Sequence, residues 1–274
     1  MSLSIIVPAC NEAAYIGACL AAVLAATGPQ GAQVIVAANG CTDETVPRAL
    51  AFADRFAHNG WRLDVLDLPA LGKHGAMDAG DAAAVHAARV YLDADVLVSP
   101  TVLAEVARAL AVTEARYASG TPIVTARSWI TRAYARFWVR LPFVAQGVPG
   151  FGLYAVNAAG RARWGQFPAI ISDDTFVRVQ FTPEERIKVP GTYRWPMVEG
   201  FRQLVRVRRR QDQGVVQMTA LHPDLMAHEG KARPGKRWLL GRLLRDPVAF
   251  VTYAAVTVAV RAGWGGQSGW VRGR

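Results

Sequence analysis

Cysteine is scarce in this chain: Cys10, Cys19 and Cys41 are the only three among 274 residues. They are too few and too scattered for a disulfide framework or a zinc knuckle, and they read as reduced thiols of a cytosolic protein. Long hydrophobic runs are missing as well. The opening MSLSIIVPACNEA has no basic leader, and its apolar run is too short for a secretory signal. The uncharged stretch Pro247 to Val260 would be about 21 Å long as a helix, whereas crossing a bilayer takes ~20 apolar residues. Glycine loops for phosphate are absent too, with no G-x-G-x-x-G after the first apolar run and no G-x-x-x-x-G-K-[ST] anywhere. A phosphate ligand would therefore be held by a metal and by side chains. Internal repeats and low-complexity segments are likewise missing.

What is present is a globular composition. Hydrophobic residues make up 52% and charged residues 19%, enough for a substantial core in one large domain or two. The net charge of +10 is unevenly divided. Residues 1–126 hold 7 Lys and Arg against 12 Asp and Glu, and residues 127–274 hold 24 against 9. Only four of the 31 basic residues are Lys, a compositional preference that explains Arg over Lys but not the split. An acidic half suits a cation, and a basic half suits an anion or an anionic surface.

The apolar patterning alternates between two periods. LSIIVP (3–8), QVIVAA (33–38), RLDVLDL (62–68) and RVYLDADV read as strands. Between them lie helical stretches: NEAAYIGACLAAVLAA with Asn11 as N-cap, VPRALAFADRFA capped by Thr42 and stopped by HNG, and KHGAMDAGDAAAVHAA. Strands alternating with helices at this spacing predict βαβ units and a mostly parallel sheet. The polar clusters ACNE, ANGCTDET, LGKHG and DAD each follow the carboxyl end of a strand, the edge where open α/β sheets bind ligands.

Within RVYLDADV, strand alternation would put Asp93 and Asp95 on one face, roughly 6–7 Å apart. Two unpaired anions in a core would be very costly. Oxygen ligands at a strand end can hold Mg²⁺ or Mn²⁺, which in turn bridges diphosphate oxygens; an Asp pair can equally start a turn.

Six stretches, in order, resemble the family 2 glycosyltransferases of the GT-A fold: IIVPACNEAAYI, VIVAANGCTDET, GKHGAMDAG, YLDADVLVSP, GFGLYAVNAAGRARWGQFP and ISDDTFV. They span roughly residues 3 to 177. The resemblance implies an α/β, GT-A (Rossmann-like) fold, a mostly parallel sheet flanked by helices, here followed by a basic helical C-terminal extension. It implies metal-assisted, inverting transfer of a sugar from a nucleotide-diphosphate donor to an acceptor hydroxyl, with Mn²⁺ or Mg²⁺ as cofactor. By that resemblance Asp95 ligates the metal, and Asp93 lies beside it facing the ribose and diphosphate. Pro8, Ala9, Asn11, Glu12, Asn39, Lys73, Asp78 and Gly152 are the remaining donor-side candidates. The family's Asp-Asp-Gly-Ser element reads Ala38-Asn39-Gly40-Cys41 here. Asn39 can accept from the N3–H of a pyrimidine and can also donate, which leaves the base open, and a tight turn accounts equally well for Gly40. Asp78 adds an acidic group near the base pocket, and Lys73 can pair with it or with phosphate.

Ser172, Asp173 and Asp174 suit the N-cap and first turn of a helix. By the resemblance Asp174 is instead the general base, and Asp173 orients acceptor or sugar. A carboxylate that removes the proton of a sugar hydroxyl contributes ~10²–10⁴-fold. The glycines of PGFGLYAVNAAG allow close backbone approach to the donor sugar.

The run FRQLVRVRRRQDQG (201–214) reads as a solvated face, a nucleic-acid surface, or a leaving-group site. No aromatics interleave VRVRRRQ as a single-strand platform requires, so nucleic acid is not an expected partner. The resemblance makes this a mobile segment closing on the diphosphate, with Arg209 and Arg210 stabilising its charge. Its poor match to the family's Gln-x-x-Arg-Trp element disfavours processive synthesis. His222 or His228 would be a further metal ligand or merely structural. Competing readings are a nucleotidyl- or polyol-phosphate-type transferase on the same fold and a basic nucleic-acid-binding protein.

The expected organisation is a transferase domain over 1–230, with a nucleotide-binding half (1–126) and an acceptor half (127–230), then basic and apolar helices over 231–274. There Trp238, Leu239, Leu240, Leu243 and Leu244 sit among Lys236, Arg237, Arg242 and Arg245, the pattern of an amphipathic helix in a membrane interface. Pro247 breaks it from the next helix. Either both helices pack on the sheet, or they attach a cytoplasmic enzyme to the anionic inner face of the membrane. An acceptor carbohydrate or a lipid-linked acceptor would complete the set of partners.

Overall fold

The computed structural model describes residues 1–232 and 234–264. LSIIVPA (β1, Leu3–Ala9) and QVIVAAN (β2, Gln33–Asn39) lie side by side in parallel, Ser4 opposite Gln33 and Ala9 opposite Ala38. Apolar at nearly every position, they are covered on both faces, as inner strands of a parallel sheet must be. Their polar side chains are satisfied internally: Ser4 Oγ donates to Gln33 Oε1 at 2.7 Å, and Gln33 Nε2 donates to Asp64 at 2.6 Å. RLDVLDL (β3, Arg62–Leu68) pairs with β2, and ARVYL (β4, Ala88–Leu92) pairs with β1. Helix α1 (Ile16–Ala25) connects β1 to β2, α2 (Thr45–Leu50) and α3 (Ala53–His58) connect β2 to β3, and α4 (Gly72–Ala83) connects β3 to β4. Gly60, at φ 69°, ends the α3 turn where HNG predicts a stop.

Helix starts differ from the sequence expectation. Asn11 does not cap α1; it takes φ 53°, and its amide oxygen accepts from the Thr42 N–H at 2.7 Å, tying the loop after β1 to the loop after β2. The helix begins only at Ile16 because Glu12 O is used in a preceding turn by the N–H groups of Tyr15 and Ile16. Thr42 caps nothing either. Asp43 does the local bonding, accepting from the N–H groups of Ala13 and Thr45, each at 3.0 Å, and the single helix expected through VPRALAFADRFA is two short ones.

The second half supplies β5 (Leu97–Val98), α5 (Val102–Ala109), β6 (Tyr117–Thr125), α6 (Trp129–Trp138), α7 (Pro142–Ala145), β7 (Leu153–Val156), α8 (Ala158–Arg161), α9 (Asp173–Arg178) and β8 (Arg186–Pro196). All eight strands form one sheet in the order β3-β2-β1-β4-β7-β6-β8-β5. It is parallel from β3 to β4 and between β6 and β8, whereas β7 runs against both neighbours and β5 runs against β8. The sheet is therefore less uniformly parallel than the strand–helix alternation predicts. After the α6–α7 excursion the chain re-enters at the edge where β4 stops, so Leu153 opens β7 opposite Leu92.

Helix α10 (Phe201–Leu221) is followed by α11 (Pro223–Met226), α12 (Lys236–Arg245) and α13 (Pro247–Arg261). Helix α13 packs on α6 and α10 rather than on the sheet. It buries Ala249 and Val256 and stacks Tyr253 on Tyr134 and Phe137, at 5.2 and 4.4 Å between ring centroids. Asp246 caps it, accepting from the Ala249 N–H at 3.1 Å and from Arg136 Nε at 2.8 Å; the Arg136 contact leads in holding this carboxyl down at about 2. Pro247 stands at the first helical position, where its missing N–H costs nothing. No helix among the described residues is long and apolar enough to cross a membrane. Positions 233 and 265–274 of the expected C-terminal region lie outside the described residues.

Candidate active site

Strand β4 stops at Leu92, and Asp93-Ala94-Asp95 is a turn, with the Val96 N–H donating to Asp93 O at 3.1 Å. The two aspartates are thus gathered by a turn, not by strand alternation. The reason is β7: Asp93 N–H donates to Gly152 O at 2.9 Å, the last rung before both chains diverge. Gly152 has φ 70°, and a Cβ there would lie 2.8 Å from both Trp195 Cδ1 and Val96 Cγ2. Only glycine fits, and the close approach it permits is to Trp195 and Val96.

Beyond this turn opens a cleft of two chambers. The larger, ≈ 310 Å³, is lined on the sheet side by Pro8, Ala9, Cys10, Glu12, Asn39, Lys73, Asp93 and Asp95, and opposite them by Tyr134, Trp138, Trp195, Met197, Leu204, Val207, Arg208 and Arg210. The smaller, ≈ 130 Å³, shares Pro8, Lys73, Asp93, Trp195 and Arg210 and adds Gly152, Tyr154, Asp173 and Asp174. The carboxyl ends of β1, β2 and β4, the start of α9 and the middle of α10 therefore meet in one place.

Lys73 joins the two acidic motifs. Its Nζ lies 3.0 Å from Asp173 Oδ2 and 3.3 Å from Asp93 Oδ1. Burial opposes its charge, but Asp173 and then Asp93 outweigh burial and hold the ammonium above its ordinary range. Asp174 shifts up as well: burial is the leading cause and neighbouring Asp173 the next, against the pull of Lys73 and Arg178. Such a carboxyl is a better proton acceptor than an ordinary one. Ser172 occupies the N-cap of α9 without a side-chain capping bond.

Helix α10 holds this segment in place. Gln217 Oε1 accepts from the Ile171 N–H at 2.9 Å, and a Cβ on Gly214 would lie 2.0 Å from Ser172 Oγ. Gly214→Ala is therefore expected to lower both Tm and kcat, although alanine is intrinsically better in a helix by about 1 kcal/mol. Adding Ser172→Gly should restore much of both losses in a double-mutant cycle measured by thermal melts and turnover; no coupling between the two sites would contradict the contact.

Several expected residues are elsewhere. Asn11 bridges two loops, as described. Asn39 does line the cleft, but its amide oxygen already accepts from the Leu71 N–H at 2.6 Å, fixing the loop into α4. Gly40, at φ 55°, has the role of a tight turn, since a Cβ there would lie 2.8 Å from Ala70 Cβ. Asp78 is five residues beyond Lys73, about 140° round the helix, and accepts from the Phe167 N–H at 2.9 Å outside the cleft lining. Lys73 pairs with Asp93 and Asp173, not with Asp78. The arginine run is not a separate segment but part of the 21-residue α10. Arg210 faces the cleft, whereas Arg209 donates to Trp264 O at 2.5 Å. Arg208, not expected from the sequence, lines the larger chamber while its guanidinium bonds Asp212 at 3.0 Å and the Tyr253 hydroxyl at 3.1 Å. His228 Nδ1 is 3.0 Å from Val179 O, and His222 packs on Phe176, so neither is directed at Asp93 and Asp95.

Among the described residues, no group of three or more His, Cys, Asp or Glu is placed to hold a metal. Mg²⁺ and Mn²⁺ are commonly held by one or two carboxylates plus substrate phosphates. The oxygen donors of Asp93 and Asp95, both lining the larger chamber, fit that requirement.

Two further residues have no signal in the sequence. Trp195 packs in a triangle with Trp138 and Phe151, each 5.6 Å away at 25° and 23° and the two 5.1 Å from each other, and walls both chambers. Tyr154 lines the smaller chamber, and its buried hydroxyl has no hydrogen-bond partner among the described residues. An unmet hydroxyl costs about 1–3 kcal/mol, which a ligand hydroxyl would relieve. Nothing in the spacing of these aromatics separates them from ordinary core residues.

The family model for glycosyl transferase family 2 matches residues 4–162. No match was found among curated proteins. Among solved structures, the chain is similar to mannosyltransferase PcManGT from Pyrobaculum calidifontis in complex with GDP-Man and Mn²⁺, with TM-score 0.56 and 21% identity over 99% of this chain and 76% of that one. It is similar to S. aureus TarS 1–349 in complex with UDP, with TM-score 0.53 and 12% identity over 100% and 95%. It is also similar to glucosyl-3-phosphoglycerate synthase from Mycobacterium tuberculosis in complex with Mn²⁺ and UDP-glucose, with TM-score 0.55 and 18% identity over 80% and 78%. At these identities the likeness is one of fold.

Proposed function

The chain belongs to glycosyl transferase family 2 and has the GT-A fold, and from that premise we propose that it moves a sugar from a nucleotide-diphosphate donor to an acceptor hydroxyl by one inverting displacement. The observation that carries this reading is Lys73, which pairs with both Asp93 and Asp173 and so joins the donor-side turn to the base-side turn in one cleft. Asp174 takes the proton of the acceptor hydroxyl as its oxygen attacks the anomeric carbon, and the bond to the diphosphate breaks on the opposite face. Asp173 orients the acceptor or the sugar. Arg210 receives the charge that develops on the leaving diphosphate. Pro8, Ala9, Glu12 and Asn39 border the nucleotide, and Trp195 excludes water between the chambers. Residues 1–126 serve the donor and residues 127–230 the acceptor.

A divalent cation held by Asp95 with Asp93 would supply charge neutralisation at the diphosphate. The presence of Mn²⁺ in the PcManGT and glucosyl-3-phosphoglycerate synthase complexes supports the choice of ion. Cys10, Cys19 and Cys41 are all free thiols, which supports a cytoplasmic site of action.

The test is a thermal-shift panel of nucleoside diphosphates with Mn²⁺. A ligand at 100 times its Kd stabilises by ~2.7 kcal/mol, so the matching nucleotide should stand out. Turnover of the corresponding nucleotide sugar should then give a product of inverted anomeric configuration by NMR. No shift with any nucleotide, or a retained anomer, would count against the proposal.

A further inference from the structure

We propose that the outward face of α12 and α13 docks on an anionic lipid bilayer surface. The argument starts from α13, which carries no charge between Asp246 and Arg261. Its inward residues Ala249 and Val256 are fully buried against α6 and α10. Its outward residues Val248, Val251 and Val258 are 53%, 59% and 64% exposed, at the three- and seven-residue spacings of a single stripe. Preceding it and packed on it, α12 exposes Leu240 and Leu244, one turn apart, at 57% and 75%. A surface helix of a soluble domain ordinarily turns its polar side to water. Isolated exposed aliphatic residues are common, but five on two consecutive helices are not.

The charge around this stripe identifies the occupant. Lys236, Arg237, Arg245 and Arg261 lie on the same two helices, whereas Arg242 is turned over Trp238, and the one acid of the two helices and the residue between them, Asp246, is held by Arg136. Basic residues around an apolar stripe match an interface of acyl chains below anionic headgroups. A second copy of the chain is the poorer occupant, since self-association would bring two basic rims together. The helices lie on the bilayer rather than through it, because neither is long enough to cross.

The structure also redraws the membrane face expected from the sequence. Trp238 does not belong to it: its ring packs edge-on against Phe137 and carries Arg242 above it, at 5.6 and 5.1 Å. The face is instead Leu240 and Leu244 continued by the valines of α13. Because α13 rests on α6 and α10, which contribute Tyr134, Trp138, Leu204 and Arg210 to the cleft, docking would bring the acceptor side of the cleft close to the lipid.

Flotation of the full-length chain with vesicles tests this without donor or acceptor, so the result is independent of the transfer reaction. With equimolar phosphatidylglycerol and phosphatidylcholine at low salt, the protein should float, and with phosphatidylcholine alone it should bind at least about tenfold less. The pairs L240E/L244E and V251E/V258E should each weaken binding by at least about tenfold, with thermal melts and nucleoside-diphosphate shifts unchanged. If a glutamate pair lowers Tm, L240A/L244A takes its place. The proposal is overturned if the full-length protein does not float with the anionic vesicles, or if the folded variants float as well as the wild type. It is also overturned if sedimentation shows a dimer that Leu244→Glu splits while vesicle binding is absent.

Discussion

Asp174→Asn is expected to lower kcat by at least about 100-fold while leaving donor affinity near wild type, because it removes a group that acts only as the acceptor hydroxyl is deprotonated. Its effect on stability separates this role from helix capping. Burial and Asp173 hold the Asp174 carboxyl above its ordinary value. Folding therefore takes up a proton between the unfolded and folded pKa, and stability falls as pH rises through that window. Above that window the ionised carboxylate destabilises the ligand-free protein, and asparagine removes that penalty. The Tm of the variant should then be no lower than that of wild type. A residue that only capped α9 would do the reverse, lowering Tm while kcat per folded molecule persisted. The same raised pKa should place the acid limb of the wild-type kcat profile above the ordinary carboxylate range, and that limb should vanish in whatever activity Asp174→Asn retains.

Asp95→Asn is expected to abolish the Mn²⁺ dependence of nucleoside-diphosphate binding. Asparagine keeps the shape of the side chain but removes the anionic oxygen that a hard cation prefers. Partners of a metal ligand one shell further out already matter by 10–100-fold, so losing the ligand itself should cost at least about 100-fold in Mn²⁺-dependent affinity. Calorimetric titration of the nucleotide with and without Mn²⁺ reads this directly. Asp95 lies in a turn, and Lys73 reaches Asp173 directly, so the Lys73–Asp173 contact should survive the substitution. If the variant binds nucleotide with undiminished Mn²⁺ dependence, the metal ligand is another residue, and Asp93 is the first to examine.

Local pattern alone determined much of this molecule. The segments 3–9, 33–39, 62–68 and 88–92 specified strands because each is rich in strand-forming apolar residues and bounded by turn residues, and the existence of intervening helices, though not their bounds, followed from their period. The acidic pairs 93/95 and 173/174 and the lone Lys73 of the first half were legible for the same reason: they are short motifs, each at the end of an element. What the sequence left undecided depends on phase and register. Arg209 and Arg210 differ by one residue and hence by about 100° around α10, which sends one to the Trp264 carbonyl and the other to the cleft. Asp78 was misplaced in the same way on α4. The antiparallel entry of β7 put Gly152 against Asp93 and turned the expected strand pair into a loop, a consequence of pairing between segments some sixty residues apart. Lys73 between Asp93 and Asp173, Trp195 against Trp138 and Phe151, and α13 on α6 and α10 all join stretches distant in the chain. Periodicity reports which face of an element is apolar; which distant element covers that face is decided only when the whole chain packs.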